Sequence, residues 1–163
     1  MSRTRYTPLS LPNKAIWADV ADASAERKEH NDCAVRAVTI VTGLDYQTVH
    51  AAFIEAGRKP RKGTPRGVTR EACKRLGYQW EPVQVRAKTA ITAERDPVLR
   101  SGRFVVGMTR HLAAMVDGQL IDHTKGKRKR INGAYTLTPI AAVERQHVPI
   151  KPIAQTNTQM SLL

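Results

Sequence analysis

The segment NDCAVRAVTIVTG, residues 31–43, predicts the centre of the fold, because it is apolar around most of its circumference when it is drawn as a helix. Its apolar residues form two adjoining strips at helical spacing, Cys33, Ala37 and Ile40 on one and Ala34, Val38 and Val41 on the other. Asp32 is a favourable N-cap and Gly43 a favourable C-terminal stop. We therefore predict a buried central helix.

Two more helices are predicted after this one. The first follows Asp45 as its cap and ends at Gly57, and the second is capped by Thr69 and ends at Gly77. Between them, residues 58–67 contain two prolines and two glycines, which predicts a loop.

Beyond residue 78 the apolar period changes from helical spacing to two. Strands are predicted at 79–85, where a proline favours a sheet edge, and at 103–109 and 134–137. Residues 111–123 predict a hairpin whose turn is Asp117–Gly118. Helices followed by an antiparallel sheet indicate an α+β fold.

Length and composition predict one intracellular domain. The 163 residues are 41% hydrophobic and 25% charged, which is ordinary for a globular chain. We expect an extended N-terminal arm at 1–14, a single domain at 15–146 and a tail at 147–163, with a partner chain holding both ends. Two cysteines, no apolar leader and no membrane-length segment predict a reducing compartment, no secretion and no membrane partner.

Positive charge is concentrated after residue 57. Residues 1–57 hold six basic and seven acidic side chains, whereas 58–163 hold twenty-one and seven. The basic side chains crowd two segments, one with Arg58, Lys59, Arg61, Lys62, Arg66 and Arg70 and the other with Lys125, Lys127, Arg128, Lys129 and Arg130. Such clusters favour an anionic partner, although a solvated surface explains them equally well.

Cys33, His111 and Asp122 form a candidate catalytic group. A cysteine at the start of a helix lies where N–H groups and the helix dipole stabilise a thiolate. His111 opens an otherwise apolar strand, as a base would at the mouth of a site. With a two-residue turn at Asp117–Gly118, Ala113 pairs with Asp122, so Asp122 lies diagonally across from His111 on the same face. A one-residue slip would put His123 there instead.

Each member of this group also has an ordinary explanation. A cysteine on a buried helix is commonly inert, a histidine at a strand start is commonly a surface residue, and Asp-Gly is primarily a turn. The other cysteine, Cys73, is predicted to lie in the core. No metal or cofactor is expected, because there is no cluster of Cys and His pairs and no phosphate-binding loop.

The sequence resembles a known superfamily over about residues 29–137. The motif NDCAVRA and the later stretch GRFVVGMTRHLAAMVDGQLID are similar to small papain-like cysteine peptidase domains, including the leader-peptide peptidases of export transporters. They are also similar to short proteins of tailed bacteriophages with N-D-C-x-V-R-A and H-x-x-x-x-V-D-G-x-x-x-D. The resemblance implies a papain-like fold, with Cys33 as nucleophile, His111 as base and Asp122 as orienting residue, in the host cytoplasm or the virion.

One element of the papain-like pattern is missing from this chain. Papain-like enzymes carry a glutamine before the cysteine that completes the oxyanion hole, and residues 18–32 contain no glutamine. The hole would then use the backbone N–H of Cys33 and the side chain of Asn31.

Three functions therefore compete. The first is a cysteine hydrolase of peptide or isopeptide bonds, whose basic segments select acidic or nucleic-acid-associated partners. The second is a weakly active or inactive phage protein that uses its two ends for viral assembly. The third is a module that binds nucleic acid through phosphates, since aromatic residues are only 5% of the chain and a base-stacking surface is not expected.

Overall fold

The computed structural model describes residues 8–122 and 130–140. The helices are α1 (Leu11–Glu26), α2 (Cys33–Thr42), α3 (Tyr46–Glu55), α4 (Arg66–Arg75) and α5 (Ala90–Ala93), and a 3₁₀ turn covers Pro97–Leu99. The strands are β1 (Tyr78–Val83), β2 (Arg103–Met108), β3 (His111–Val116), β4 (Gln119–Ile121) and β5 (Ile131–Pro139). They form one antiparallel sheet in the order β1-β5-β2-β3-β4. The predicted α+β class is confirmed.

Helix α2 is the buried centre of the fold, as its sequence predicts. Val35 and Val38 are fully buried, and the helix packs across strand β3. Gly43 ends it with φ of +70°, and its N–H donates to the Thr39 carbonyl at 2.9 Å. The N-terminal end of α2, with Cys33, is therefore fixed against the start of β3.

Strand β3 is buried on both faces, which explains its continuous apolar sequence. On one face Leu112, Ala114 and Val116 pack in the core that contains α2. On the other face Ala113 and Met115 pack against a second core formed with α5 and the 3₁₀ turn. The segment that covers this second face, between β1 and β2, was not predicted to contain helices.

The β3–β4 hairpin has the predicted register. Val116 pairs with Gln119, and Ala114 pairs with Ile121. Asp117 and Gly118 have φ of +48° and +78°, as a two-residue turn of type I′ requires. Asp117 also accepts a hydrogen bond from the Gly102 N–H at 2.9 Å, which ties the turn to the start of β2.

The predicted N-terminal arm is wrong for its last four residues, because helix α1 begins at Leu11. The Ser10 side chain accepts a hydrogen bond from the Asn13 N–H at 3.4 Å, and a proline in the first turn is compatible with a helix start. Gln119 of β4 accepts from the Ser10 N–H at 3.0 Å and donates to the Pro8 carbonyl at 3.0 Å. The chain itself thus holds residues 8–10. The predicted tail, 147–163, lies outside the described residues.

Three other local predictions need correction. Asp32 makes no capping hydrogen bond at α2. Helix α4 begins at Arg66 and not after Thr69, which is buried within the helix and donates its hydroxyl to the Pro65 carbonyl at 3.4 Å. Strand β5 extends beyond the predicted 134–137, because its first part, from Ile131, pairs with β2 and its second part, to Pro139, pairs with β1. The proline-containing strand β1 lies at a sheet edge, as predicted.

Among the described residues, no helix is long and apolar enough to cross a membrane.

Candidate active site

Cys33 lies at the first position of α2 and lines a cleft of about 720 Å³. The cysteine is partly exposed and lies among the residues that line the cleft. Burial by itself raises the pKa of the thiol, but hydrogen bonds from His111 and from the N–H groups of Leu112 and Ala34 outweigh that effect, and the pKa of Cys33 falls below its usual value. These contacts favour a thiolate at this position.

His111 joins the sulfur to a buried carboxylate. Its Nε2 lies 2.8 Å from Asp122 Oδ1, and the two side chains are only 6% and 4% exposed. The contact to Asp122 leaves Nδ1 as the ring nitrogen for the thiol. Burial lowers the pKa of His111, but the hydrogen bonds to Asp122 and Cys33 outweigh burial and raise the pKa of His111 to about 9. The lowered pKa of the Cys33 thiol and the raised pKa of the His111 imidazole both favour a thiolate–imidazolium pair over a neutral thiol and imidazole.

Asp32 lies directly before Cys33, and its carboxylate is fully engaged elsewhere. It is 3% exposed and accepts hydrogen bonds from Ser24 Oγ at 2.7 Å, Tyr46 Oη at 2.8 Å and Arg36 Nε at 3.0 Å. Burial raises the pKa of Asp32, yet these donors hold it below its usual value. The Arg36 guanidinium compensates the negative charge beside the sulfur, and the three donors together explain why the Asp32 side chain is not free to cap α2.

Arg58 was predicted to bind an anionic partner, but the structure uses it internally. Its side chain is fully buried, and Nη2 donates to Glu29 Oε2 at 2.7 Å while Nε donates to Thr64 Oγ1 at 3.1 Å. Glu29 also contacts His50 Nε2 at 3.2 Å and accepts from the Arg61 N–H. This ion pair fixes the loop that carries Gly63, Thr64 and Pro65, which line the cleft.

Apart from Arg66, the other residues of the two predicted basic segments do not line the cleft or lie outside the described residues. Lys59, Arg61 and Lys62 are exposed on the same loop but are not among the residues that line the cleft. Arg130 is exposed and forms an isolated bridge with Thr89. Lys127, Arg128 and Lys129 lie outside the described residues.

Asn31, the predicted oxyanion donor, lies at the edge of the cleft. Its φ of +57° is in the left-handed region, which asparagine tolerates better than most residues. Its Nδ2 donates to the Arg61 carbonyl at 3.4 Å, and an amide has a second hydrogen that can serve another acceptor. The carbonyl contact fixes this side chain between α2 and the loop.

Arg110 and Trp17 also lie at the site and were not predicted. Arg110 lines the cleft immediately before His111, in the two-residue turn between β2 and β3. Trp17 of α1 shares a small cavity with Cys33 and Asp122, and the Arg36 guanidinium lies 5.5 Å from the centre of its ring. The position of Arg110 directly before His111 was the one sequence signal for its place at the cleft, whereas Trp17 is distant from Cys33 and His111 in the sequence.

Arg66 belongs to a predicted basic segment, and it does line the cleft. Its Nη2 donates to Asn132 Oδ1 at 2.6 Å, and its Nη1 donates to Tyr135 Oη at 3.4 Å. Gly107 makes this arrangement sterically feasible, since a Cβ there would lie 2.7 Å from Asn132 Oδ1 and 3.0 Å from Arg66 Nη2.

No group of three or more His, Cys, Asp or Glu side chains within residues 8–122 and 130–140 could hold a metal ion. Comparison with protein-family models, with curated proteins and with solved structures finds no match to this chain.

Proposed function

We propose that this protein is a papain-like cysteine hydrolase that cleaves a peptide or isopeptide bond. The observation that carries the proposal is the continuous contact from Cys33 through His111 to Asp122 at the wall of an open cleft. A thiol, an imidazole and a carboxylate in this order are the parts of a nucleophile activated by an oriented base.

The chemistry that follows uses only these groups and water. The Cys33 thiolate attacks the carbonyl carbon, and the carbonyl electrons move to oxygen. The tetrahedral intermediate collapses to a thioester as the C–N bond breaks and the leaving amine takes the proton of the His111 imidazolium. Neutral His111 then removes a proton from water, which attacks the thioester. The acid product leaves, and the thiolate–imidazolium pair is restored.

Asp122 and the N-terminal end of α2 stabilise the two charged species of this cycle, the imidazolium and the negative oxygen of the intermediate. The Asp122 carboxylate stabilises the imidazolium and keeps the ring turned toward the sulfur. The negative oxygen of the intermediate needs donors, for which the Cys33 N–H and the second amide hydrogen of Asn31 are proposed. An Asn31→Ala variant then loses about 10²–10³ in turnover, the usual cost of one such donor.

The test is hydrolysis of a defined peptide library, with new amino termini identified by mass spectrometry. We expect cleavage by the natural chain and none by Cys33→Ser, with a strong loss in His111→Ala. An acyl adduct on Cys33 that hydroxylamine releases would identify the thioester. If Cys33 reacts with an alkylating reagent but neither cleavage nor an acyl adduct is found, the hydrolase proposal is rejected.

A catalytically weak assembly protein of a bacteriophage is the second candidate. It is favoured by the missing upstream glutamine and by the Asn31 amide, which is partly committed to the Arg61 carbonyl. In that case Cys33→Ala leaves assembly unchanged, whereas deletion of 148–163 abolishes it. The hydrolase proposal predicts instead that Cys33→Ala abolishes the protein's function.

A further inference from the structure

The charges that line the cleft are unequal. Three arginines line it, Arg36, Arg66 and Arg110, against one carboxylate, Asp32. Asp32 and Arg36 pair with each other at 3.0 Å, so their charges compensate. Arg66 and Arg110 make no ion pair within the described part of the chain. The cleft around Cys33 therefore presents net positive charge from two exposed guanidinium groups.

Arg66 is held in place by neutral partners. Asn132 and Tyr135 accept its hydrogen bonds through an amide oxygen and a hydroxyl oxygen, neither of which neutralises the guanidinium. A guanidinium has five N–H donors, so this anchoring leaves donors for a ligand. Gly107 provides the space for the contact. Such an arrangement orients a cation in advance without cancelling its charge.

Arg110 occupies a backbone position that disfavours arginine. Its φ is +54°, in a region where glycine is unstrained and other residues are uncommon. The turn that contains it is only two residues long and leads directly into His111. Strain of this kind persists most often where the side chain serves a site.

We propose that Arg66 and Arg110 bind a carboxylate of the substrate beside the scissile carbonyl. This inference rests on the proposed hydrolase function and narrows its substrate to acyl groups that carry a nearby negative charge. A carboxylate matches the planar donor pairs of a guanidinium, and the surrounding cleft strengthens such contacts relative to bulk water. The carboxylate belongs either to an aspartate or glutamate side chain or to a chain terminus.

The test compares two tripeptide acyloxymethyl ketones that differ only by aspartate or asparagine next to the reactive ketone. The readout is the second-order rate of Cys33 alkylation, measured by intact mass. We expect the aspartate probe to react about tenfold faster, since one charged hydrogen-bonded contact is worth roughly that factor. A tripeptide with a free C-terminal carboxylate and its amide serve as competitors for the second source.

The variants distinguish the effect of the arginine charges from the effect of their placement in the cleft. Arg66→Gln and Arg110→Gln should each reduce the aspartate-to-asparagine rate ratio toward 1, and Gly107→Ala should reduce it while every charge remains. Arg70→Gln, an exposed arginine of α4 that does not line the cleft, is the matched control and should keep the full ratio. Thermal denaturation verifies that each variant is folded.

The outcomes distinguish this inference from the hydrolase proposal. Faster reaction of the aspartate probe supports a side-chain carboxylate, and selective protection by the free acid alone supports a terminal one. Equal rates for both probes and equal protection by both competitors overturn the carboxylate site, while alkylation that depends on His111 leaves the hydrolase standing. If alkylation is also independent of His111, both proposals fail.

Discussion

His111 Nε2 and Asp122 Oδ1 lie 2.8 Å apart across the β3–β4 hairpin, although eleven positions separate the two residues in the chain. The contact is buried, and it connects a carboxylate to the ring that faces Cys33. Its energetic consequence is a proton held on the imidazole and withheld from the sulfur.

Replacement of Asp122 by asparagine should weaken the retention of the proton on His111 while it preserves the shape of the side chain. Without the carboxylate the pKa of His111 falls from about 9, and the thiolate loses its charged partner. We expect the pKa of the Cys33 thiol to rise, and alkylation by iodoacetamide at pH 6 to slow by about tenfold for each unit by which that pKa rises above the pH. Asp22→Asn, an exposed carboxylate on α1, is the control. Equal rates in both variants would show that Asp122 does not govern the thiol.

The two cysteines should differ completely in reactivity. Cys73 is fully buried in α4, and burial raises the pKa of its thiol to about 12. Brief treatment of the folded protein with iodoacetamide should therefore add one group, at Cys33, and treatment in denaturant should add two. Peptide mapping checks the sites, and modification of Cys73 in the folded chain would contradict the structure.

The Glu29–Arg58 pair should be a main determinant of stability. Glu29→Gln leaves the buried guanidinium without its carboxylate, and we expect a loss of about 3 kcal/mol in the free energy of unfolding. Denaturant titration measures the loss. Glu55→Gln removes an exposed carboxylate that pairs with Arg75 at 3.7 Å and should change stability little.

The same pair predicts the acid sensitivity of the fold. Burial raises the pKa of Glu29, but Arg58 and His50 outweigh it and lower the pKa of Glu29 from 4.5 to about 2. A carboxyl group with a lowered pKa stabilises the folded chain fully above its unfolded value and loses that contribution as the pH falls. Stability should drop between about pH 4.5 and pH 2, and the drop should be smaller in Glu29→Gln. An identical slope in both proteins would be evidence against this pair.

Arg110→Gly should make the protein more stable while it removes a cleft charge. The left-handed conformation at this residue costs about 1 kcal/mol that glycine avoids, so the free energy of unfolding should rise by about that amount. Arg100→Gly is the matched control, because Arg100 has a φ of −67° and glycine there should be neutral or destabilising. Urea denaturation compares them, and a loss of stability in Arg110→Gly would refute the strain.

The contact between His111 and Asp122 could be predicted from the sequence because its geometry depends on local rules. A strand period of two and an Asp-Gly turn determine the hairpin register, and the register determines which side chains share a face. The boundaries of α2 and α3 follow in the same way from Asp45, Gly43 and Gly57.

The wrong predictions for Asp32 and Arg58 involve partners that are distant in the chain. Asp32 suits an N-cap by type, yet Ser24 and Tyr46 approach it only after α1 and α3 pack beside α2. Arg58 belongs to an obvious basic cluster, yet its partner Glu29 is 29 positions earlier. Local composition contains no signal for either contact, because each depends on the packed arrangement of the helices.

The pH dependence of Cys33 alkylation is the decisive measurement for the contact between Cys33 and His111. We expect a rate that rises with a midpoint below the ordinary thiol pKa of 9.0, and a second change near pH 9 as His111 loses its proton. Both features should be altered in His111→Ala. A single rise centred at the ordinary thiol pKa, the same in both proteins, would show that His111 does not act on the sulfur.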